Sequence, residues 1–276
     1  MEGNMGTTNS TRIVISDLHL GKNDDFDIFQ APGKDDVFEQ FLEHCGKLEG
    51  PLELIINGDF VDFLQLRPWD IYLNKQKLSI RQQALTKIEE IVRGNQRAFL
   101  ALAGFLAKPQ TRLVILLGNH DVELAYDEVW AVVEKMLLSA GGQEERIKFI
   151  NRNTQYNFTL NKVTVHVEHG NAGDPFNEIL YRELFDDAEK NTGFSFPPGT
   201  QFVYEVMNNF KEQLRFVDLL KPEMPVVPLL LARLEPFQSV KQLPGTSLNM
   251  LRALKNGLIG RVRLAAASST VSSTTT

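Results

Sequence analysis

Four short stretches carry side chains that could do chemistry together. They are Asp17-Leu18-His19, Gly58-Asp59-Phe60-Val61-Asp62, Gly118-Asn119-His120-Asp121, and His166-Val167-Glu168-His169-Gly170-Asn171. Carboxylate, imidazole and carboxamide oxygen are the donors expected around Zn, Mn or Fe. An imidazole among carboxylates can also move a proton to or from a leaving group. Each stretch alone has a plainer reading. Asp17 and Asp62 suit caps or turns, Asn119 suits a turn of positive φ beside Gly118, and His120 suits a satisfied core histidine. Asp121 could hold neighbouring groups by hydrogen bonds or cap the next helix. The chemical reading requires that the chain bring the four stretches to one place.

The elements in front of them predict that it does. "RIVIS" (Arg12–Ser16), "LELIIN" (Leu52–Asn57) and "RLVILL" (Arg112–Leu117) are short β-branched runs, and each stops at one of the first three stretches. They read as strands buried on both faces. Helical patterns separate them: one over Asp36–Leu48, and a longer one from Ser79, a possible N-cap, to the residues before Pro109. The β-α-β-α-β order predicts a largely parallel sheet. In such sheets ligands gather at the carboxyl ends of the strands, where the three clusters fall.

A further helix, "DEVWAVVEKMLLSA", is predicted to stop at Gly141-Gly142. "IKFI", "QYNFTL" and "KVTVHVE" alternate in polarity and predict a second, antiparallel sheet, the last two as a hairpin across Asn161. Parity places His169 with Val165 and Val167, opposite His166 and Glu168, so His169 is the better ligand candidate and His166 a structural or surface residue. His44, on the first helix, reads the same way. Beyond Gly173 the pattern is helical. "DPFNEILYRELFDDAEKN" offers Asp174 as N-cap and Pro175 at the first helical position, with Asp174 and Asn177 as possible pocket residues. "QFVYEVMNNFKEQLRFVDLLK" aligns Val203, Val206, Phe210, Leu214 and Val217 on one stripe. "PEMPVVPLLLARLEP" is apolar and broken by proline, and "AAASSTVSSTTT" is of low complexity.

In order, Asp-x-His, Gly-Asp-x-x-Asp, Gly-Asn-His-Asp and a strand ending His-Gly resemble the calcineurin-like metallophosphoesterase superfamily over residues 12–171. The resemblance implies an α/β fold, an α-β-β-α sandwich with a helical accessory or cap segment. It implies two divalent ions (Mn, Fe or Zn) and hydrolysis of a phosphoester or pyrophosphate by a metal-activated hydroxide. Asp17 and His19 would bind the first metal, Asp59 would bridge both, and Asn119 and His169 would bind the second. His120 would face the leaving oxygen, oriented by Asp62. Gly118 would let the backbone turn between strand and site. The domain expectation is a flexible 1–11, a core over 12–171, a helical cap over 172–264 and a disordered 265–276.

The chain departs from that pattern in one respect. The superfamily's Gly-His-x-His is absent: the histidines are His19, His44, His120, His166 and His169. The C-terminal strands therefore look missing, through truncation or degeneration. The alternative function is a catalytically impaired fold used as a protein-binding scaffold. Phe63 stands where the Ser/Thr phosphatases carry Arg. "ISDLHLG" and "GDFVDFLQ" are more similar to the UDP-2,3-diacylglucosamine pyrophosphatase-like branch, whose lipid A enzyme typically has Arg in place of His120.

Composition narrows the partners. A net charge of −6 argues against a general nucleic-acid binder. A phosphorylated small molecule, or a nucleotide- or lipid-linked pyrophosphate, is the expected partner. The single cysteine, Cys45, allows no intrachain disulfide and fits the cytoplasm. No apolar run is long enough for a transmembrane segment, and "MEGNMGTTNSTR" lacks a signal peptide's apolar centre.

Overall fold

A computed structural model describes residues 10–29, 33–65, 78–151, 155–160, 162–181 and 196–211. The chain divides into two compact units, 1–200 and 201–276. The first holds strands β1 (Thr11–Ile15), β2 (Leu52–Asn57), β3 (Thr111–Leu116), β4 (Ile147–Ile150), β5 (Gln155–Leu160) and β6 (Val163–Glu168). Its long helices are α1 (Lys34–Cys45), α2 (Ile80–Gly94), α3 (Gln96–Leu106) and α4 (Asp127–Leu137).

The sheet β1-β2-β3-β4 is parallel throughout, with Ile13 beside Leu54 and Leu54 beside Leu113. Strand alternation sends Leu54, Ile56, Leu113 and Ile115 to one face, where they join residues of α1–α4 in the main core. All four are fully buried, which stabilises the fold by about 1.5–3 kcal/mol for each side chain. Ile55, Val114, Leu116 and Ile150 point to the other face and meet Val167, Val165, Tyr156 and Phe158 of the hairpin. These elements of the first unit therefore form three layers: helices, parallel sheet, antiparallel hairpin.

Two elements differ from expectation. "IKFI" does not open the second sheet. It pairs parallel to β3 as the fourth strand of the first, Ile115 beside Phe149. Four residues of alternating polarity also fit the edge of a sheet covered unevenly on its two faces, so alternation alone did not separate the two placements. The long helix before Pro109 is two helices, α2 and α3, divided at Asn95. The buried Asn95 carboxamide donates to the carbonyls of Ile91 and Gly21, which ties the break to the loop after β1. The start at Ser79 is as predicted: Ser79 and Gln82 form a reciprocal capping box. Strands β5 and β6 pair antiparallel as the expected hairpin, with Phe158 beside Val165.

After Gly173 the expected helix does not start at Asp174. Residues 175–177 form a turn and 178–180 belong to no regular element. The Asp174 carboxylate accepts from Phe176 N at 3.0 Å and Asn177 Nδ2 at 2.8 Å, a local turn that competes with helix. Helix α5 (Pro198–Phe202), a wider turn over Val203–Met207 and helix α6 (Asn208–Lys211) agree with the helical pattern there. Leu214 and Val217 of the expected stripe, "PEMPVVPLLLARLEP" and the Ser/Thr-rich end lie outside the described residues. No described helix is long and apolar enough to cross a membrane.

Candidate metal centre

The loops after β1 and β2 are laced together by backbone hydrogen bonds. Asp17 N donates to Gly58 O, His19 N to Asp59 O at 2.8 Å, Leu20 N to Phe60 O, and Asp62 N back to Leu20 O. Parallel pairing thus resumes at Leu20 and Val61, past the strand ends. This fixes Asp17 and His19 opposite Asp59 and Asp62. Asp17, His19 and Asp59 all adopt left-handed backbone, φ 56°, 46° and 51°. Such conformations carry strain in non-glycine residues and gather at functional sites.

The third loop closes on the second, where Phe63 N also donates to His120 O. Asp121, fully buried, accepts from Gly118 N at 2.6 Å and from Phe60 N at 2.8 Å. His120 N donates to Asp59 Oδ1 at 2.9 Å. Of the two readings of Asp121, holding neighbouring backbone describes what it does. The service of Gly118 is close approach. A Cβ there would lie 2.1 Å from Asp59 Oδ1. Gly58 needs both properties, with φ 80° and a Cβ position 2.4 Å from the His169 ring.

His169 arrives from the end of β6. Its Nδ1–H donates to Asn57 O at 2.8 Å, and Asn57 Nδ2 donates to Glu168 O at 2.8 Å. The ring is thereby oriented with Nε2 toward the crevice, 3.2 Å from Asp59 Oδ2 and 3.2 Å from Asn119 Oδ1. On the other side, His19 Nε2 lies 3.5 Å from the same Asp59 oxygen and 3.7 Å from Asp17 Oδ1. Asp59 Oδ2 therefore sits between two imidazole Nε2 atoms.

Asp62 forms a second hub. Its Oδ2 accepts from His19 Nδ1 at 2.8 Å, His120 Nδ1 at 3.0 Å and Gln65 Nε2, while Oδ1 accepts from Leu64 N at 2.8 Å. The rings of His19 and His120 meet edge to face at 4.7 Å. Asp62 is fully buried, whereas the His120 side chain keeps 18% of its surface open. The carboxylate holds both rings with Nδ1 protonated, so both Nε2 atoms turn away from it.

The crevice residues thus fall into two groups of close ligand atoms, Asp17–Asp59–His169 and His19–Asp62–His120. The seven residues singled out in the sequence (Asp17, His19, Asp59, Asp62, Asn119, His120 and His169) are brought together. His166 is not: it lies on the outer face of the hairpin with Asn157. Asp174 and Asn177 bond to each other and to Asn171, Phe176 and Glu178. Sequence reasoning missed Gln65, Asn57 and the contact of His19 with Asp62. Only a partner 43 residues away gives that contact its meaning.

The electrostatics follow from this packing. Burial works against a charged His169, yet the Asp59 contact, its charge and the Asn57 carbonyl outweigh it and raise the pKa to about 9. Burial likewise opposes charge on His19, and Asp17, Asp62 and Asp59 together raise it well above 6.5. His120 is raised against burial by Asp62 and Asp59. The His19 hydrogen bond is the main cause that brings Asp17 down to about 2. Burial would raise Asp62, but the charge and hydrogen bonds of His120 and His19 hold it well below the usual carboxylate range. Burial, then the charge of Asp59, pushes Asp121 up to about 7.

The donor set fits divalent ions. Asp59 Oδ2, two Nε2 atoms, Asp17 Oδ1 and Asn119 Oδ1 crowd one space, with ring protons between the imidazoles and these oxygens. A cation can replace those protons. A parallel α/β sheet with such a crevice beyond its carboxyl ends defines the class as an α/β protein with a candidate metal centre. The family model for calcineurin-like phosphoesterases matches residues 11–221, and the chain belongs to that family. Neither the curated proteins nor the solved structures compared with it include a match.

Proposed function

We propose that the protein hydrolyses a phosphoester or pyrophosphate bond at a two-ion centre. The observation that carries this reading is the position of Asp59 Oδ2, within 3.5 Å of both His19 Nε2 and His169 Nε2. Asp17 and His19 would hold one ion, Asn119 and His169 the other, and Asp59 both. Bound there, the ions would neutralise phosphate charge and lower the pKa of a water nucleophile.

The rest of the work belongs to the chain. His120, the more open of the rings bound to Asp62, directs Nε2 away from that carboxylate. A proton held on this atom can pass to the departing oxygen. Asp62 keeps the ring in the tautomer and orientation this needs. Asp121 holds the Gly118 and Phe60 amides, and so keeps the second and third loops in register while substrate binds.

The test is elemental analysis with a calorimetric Mn²⁺ titration, beside hydrolysis of bis(p-nitrophenyl) phosphate. Mn²⁺-dependent turnover that is lost together with metal in Asp59→Asn is the expected result. A protein that binds no divalent ion, or one whose metal content survives Asp59→Asn, would defeat the proposal.

A further inference from the structure

Gln65 closes the stretch "GDFVDFLQ", which by itself assigns it no role, yet it is 1% exposed and makes two directed contacts. Its Oε1 accepts from Ile28 N at 2.8 Å, which settles the orientation of the amide. Nε2 therefore faces Asp62 and donates to the Oδ2 oxygen that also receives both histidines. The Ile28 end is anchored in turn. The loop after β1 carries Asn23 N on Asp27 Oδ2 at 2.6 Å and Phe26 N on Asp24 Oδ1 at 2.9 Å. Asn95 Nδ2, from the break between α2 and α3, holds Gly21 O.

We propose that Gln65 is a positioning residue that fixes the Asp62 carboxylate, and through it the rings of His19 and His120, to the anchored loop 21–29. Leu64 N, from the same loop, holds Oδ1, but without Gln65 the Oδ2 oxygen would be bonded only to the two rings and could shift with them. The third donor to Oδ2, tied through Ile28 to a separate loop, removes that freedom. A site works only as well as the shell behind it is fixed, and side chains locked on both ends supply that fixity. The consequence for turnover rests on the function proposed above, whereas the consequence for ring placement does not.

Two variants separate the roles in the full-length chain. Gln65→Glu keeps an oxygen for Ile28 N and removes the donor to Asp62. Gln65→Met removes both at similar length and without charge. The first readout is the Nδ1–H resonances of His19 and His120 by ¹⁵N-edited NMR in metal-free protein. Calorimetric Mn²⁺ affinity, kcat and KM for bis(p-nitrophenyl) phosphate, and Tm complete the set.

Both variants are expected to shift the Nδ1–H signals or lose them to exchange, and to weaken Mn²⁺ binding by roughly 10-fold. They should lower kcat by about 10-fold with little change in KM. Wild-type resonances and Mn²⁺ affinity in Gln65→Glu would overturn the proposal and leave Gln65 as a loop anchor. So would a change confined to Tm in Gln65→Met, or losses in Gln65→Glu with wild-type behaviour in Gln65→Met, which would trace the effect to added charge. A wild-type protein without Mn²⁺ binding or turnover would defeat the proposed function, and the metal-free resonances would still decide the role of Gln65.

Discussion

Asp59 and Asp62 are three residues apart on one loop, both buried, and opposite in their surroundings. Asp62 is saturated: its two oxygens take four donors from His19, His120, Gln65 and Leu64. On Asp59, Oδ1 takes His120 N, while Oδ2 faces two Nε2 atoms at 3.2 and 3.5 Å, on the long side for hydrogen bonds. A carboxylate whose lone pairs are all used by protein donors can orient its neighbours but has little left for a cation. One held firmly by a single oxygen, with the other aimed into a shared space, can take one. Type and spacing make the two aspartates look alike; donor count separates them.

The sharpest break of this contrast is Asp59→Asn. It should weaken both ions by at least ~100-fold, more than the loss of an outer partner, and abolish measurable hydrolysis. Elemental analysis after dialysis checks it. Next, His120→Ala should lower kcat by about 10²–10⁴-fold with metal content unchanged. Asp62→Asn should differ in kind, because Asp62 also orients His19. It should lower kcat and weaken Mn²⁺ binding together, by roughly 10-fold or more. If Asp62→Asn reproduces His120→Ala with full metal content, the two hubs are not distinct in the way described.

The pH dependence of the metal-free protein tests the charge on these hubs. The folded pKa of His169 is about 9 against 6.5 unfolded, so its stabilisation is complete below 6.5 and lost as pH rises through 9. His19 and His120 are raised and act in the same sense. Asp121 and Glu123, both pushed up to about 7 by burial, remove stability earlier as pH rises toward 7. The metal-free Tm should therefore fall across the interval from 6.5 to about 9. Ions must displace the same protons, so the rise in Tm on adding Mn²⁺ should widen over that interval. Scanning fluorimetry with and without Mn²⁺ reads both. A flat metal-free profile would contradict the ion pairing.

The smallest expected effect lies at the hairpin. Asn57→Ala removes one hydrogen bond to Glu168 O and leaves the carbonyl that holds His169, which should destabilise by about 1 kcal/mol. Mn²⁺ affinity should change less than in Asp62→Asn, and the same titration compares them.

The clusters were legible in the sequence because each is contiguous and follows an apolar run. Parallel strands then leave little choice about where they meet, as with Asp17, Asp59 and Asn119. His169 was legible by parity along β6. The fourth strand was not, because four residues of "IKFI" do not report which sheet they join. Asp174 was misread because its carboxylate serves a helix cap and a turn equally well, and Pro175 fits both. Gln65 closes "GDFVDFLQ" behind two hydrophobic residues, and its spacing alone does not mark it as a partner of Asp62. Its role exists only once Ile28 and Asp62 stand on either side.

The left-handed backbone at Asp17, His19 and Asp59 has a consequence for anyone reshaping this protein. Each of these conformations works against the fold by about 1–3 kcal/mol in a residue with a Cβ, and glycine adopts it freely. Erasing the centre with Asp17→Gly would relieve that burden at the most exposed of the three. The sturdiest version of this chain and the most reactive one are then different sequences. Selection for heat resistance alone would tend to dismantle the crevice from its rim inward.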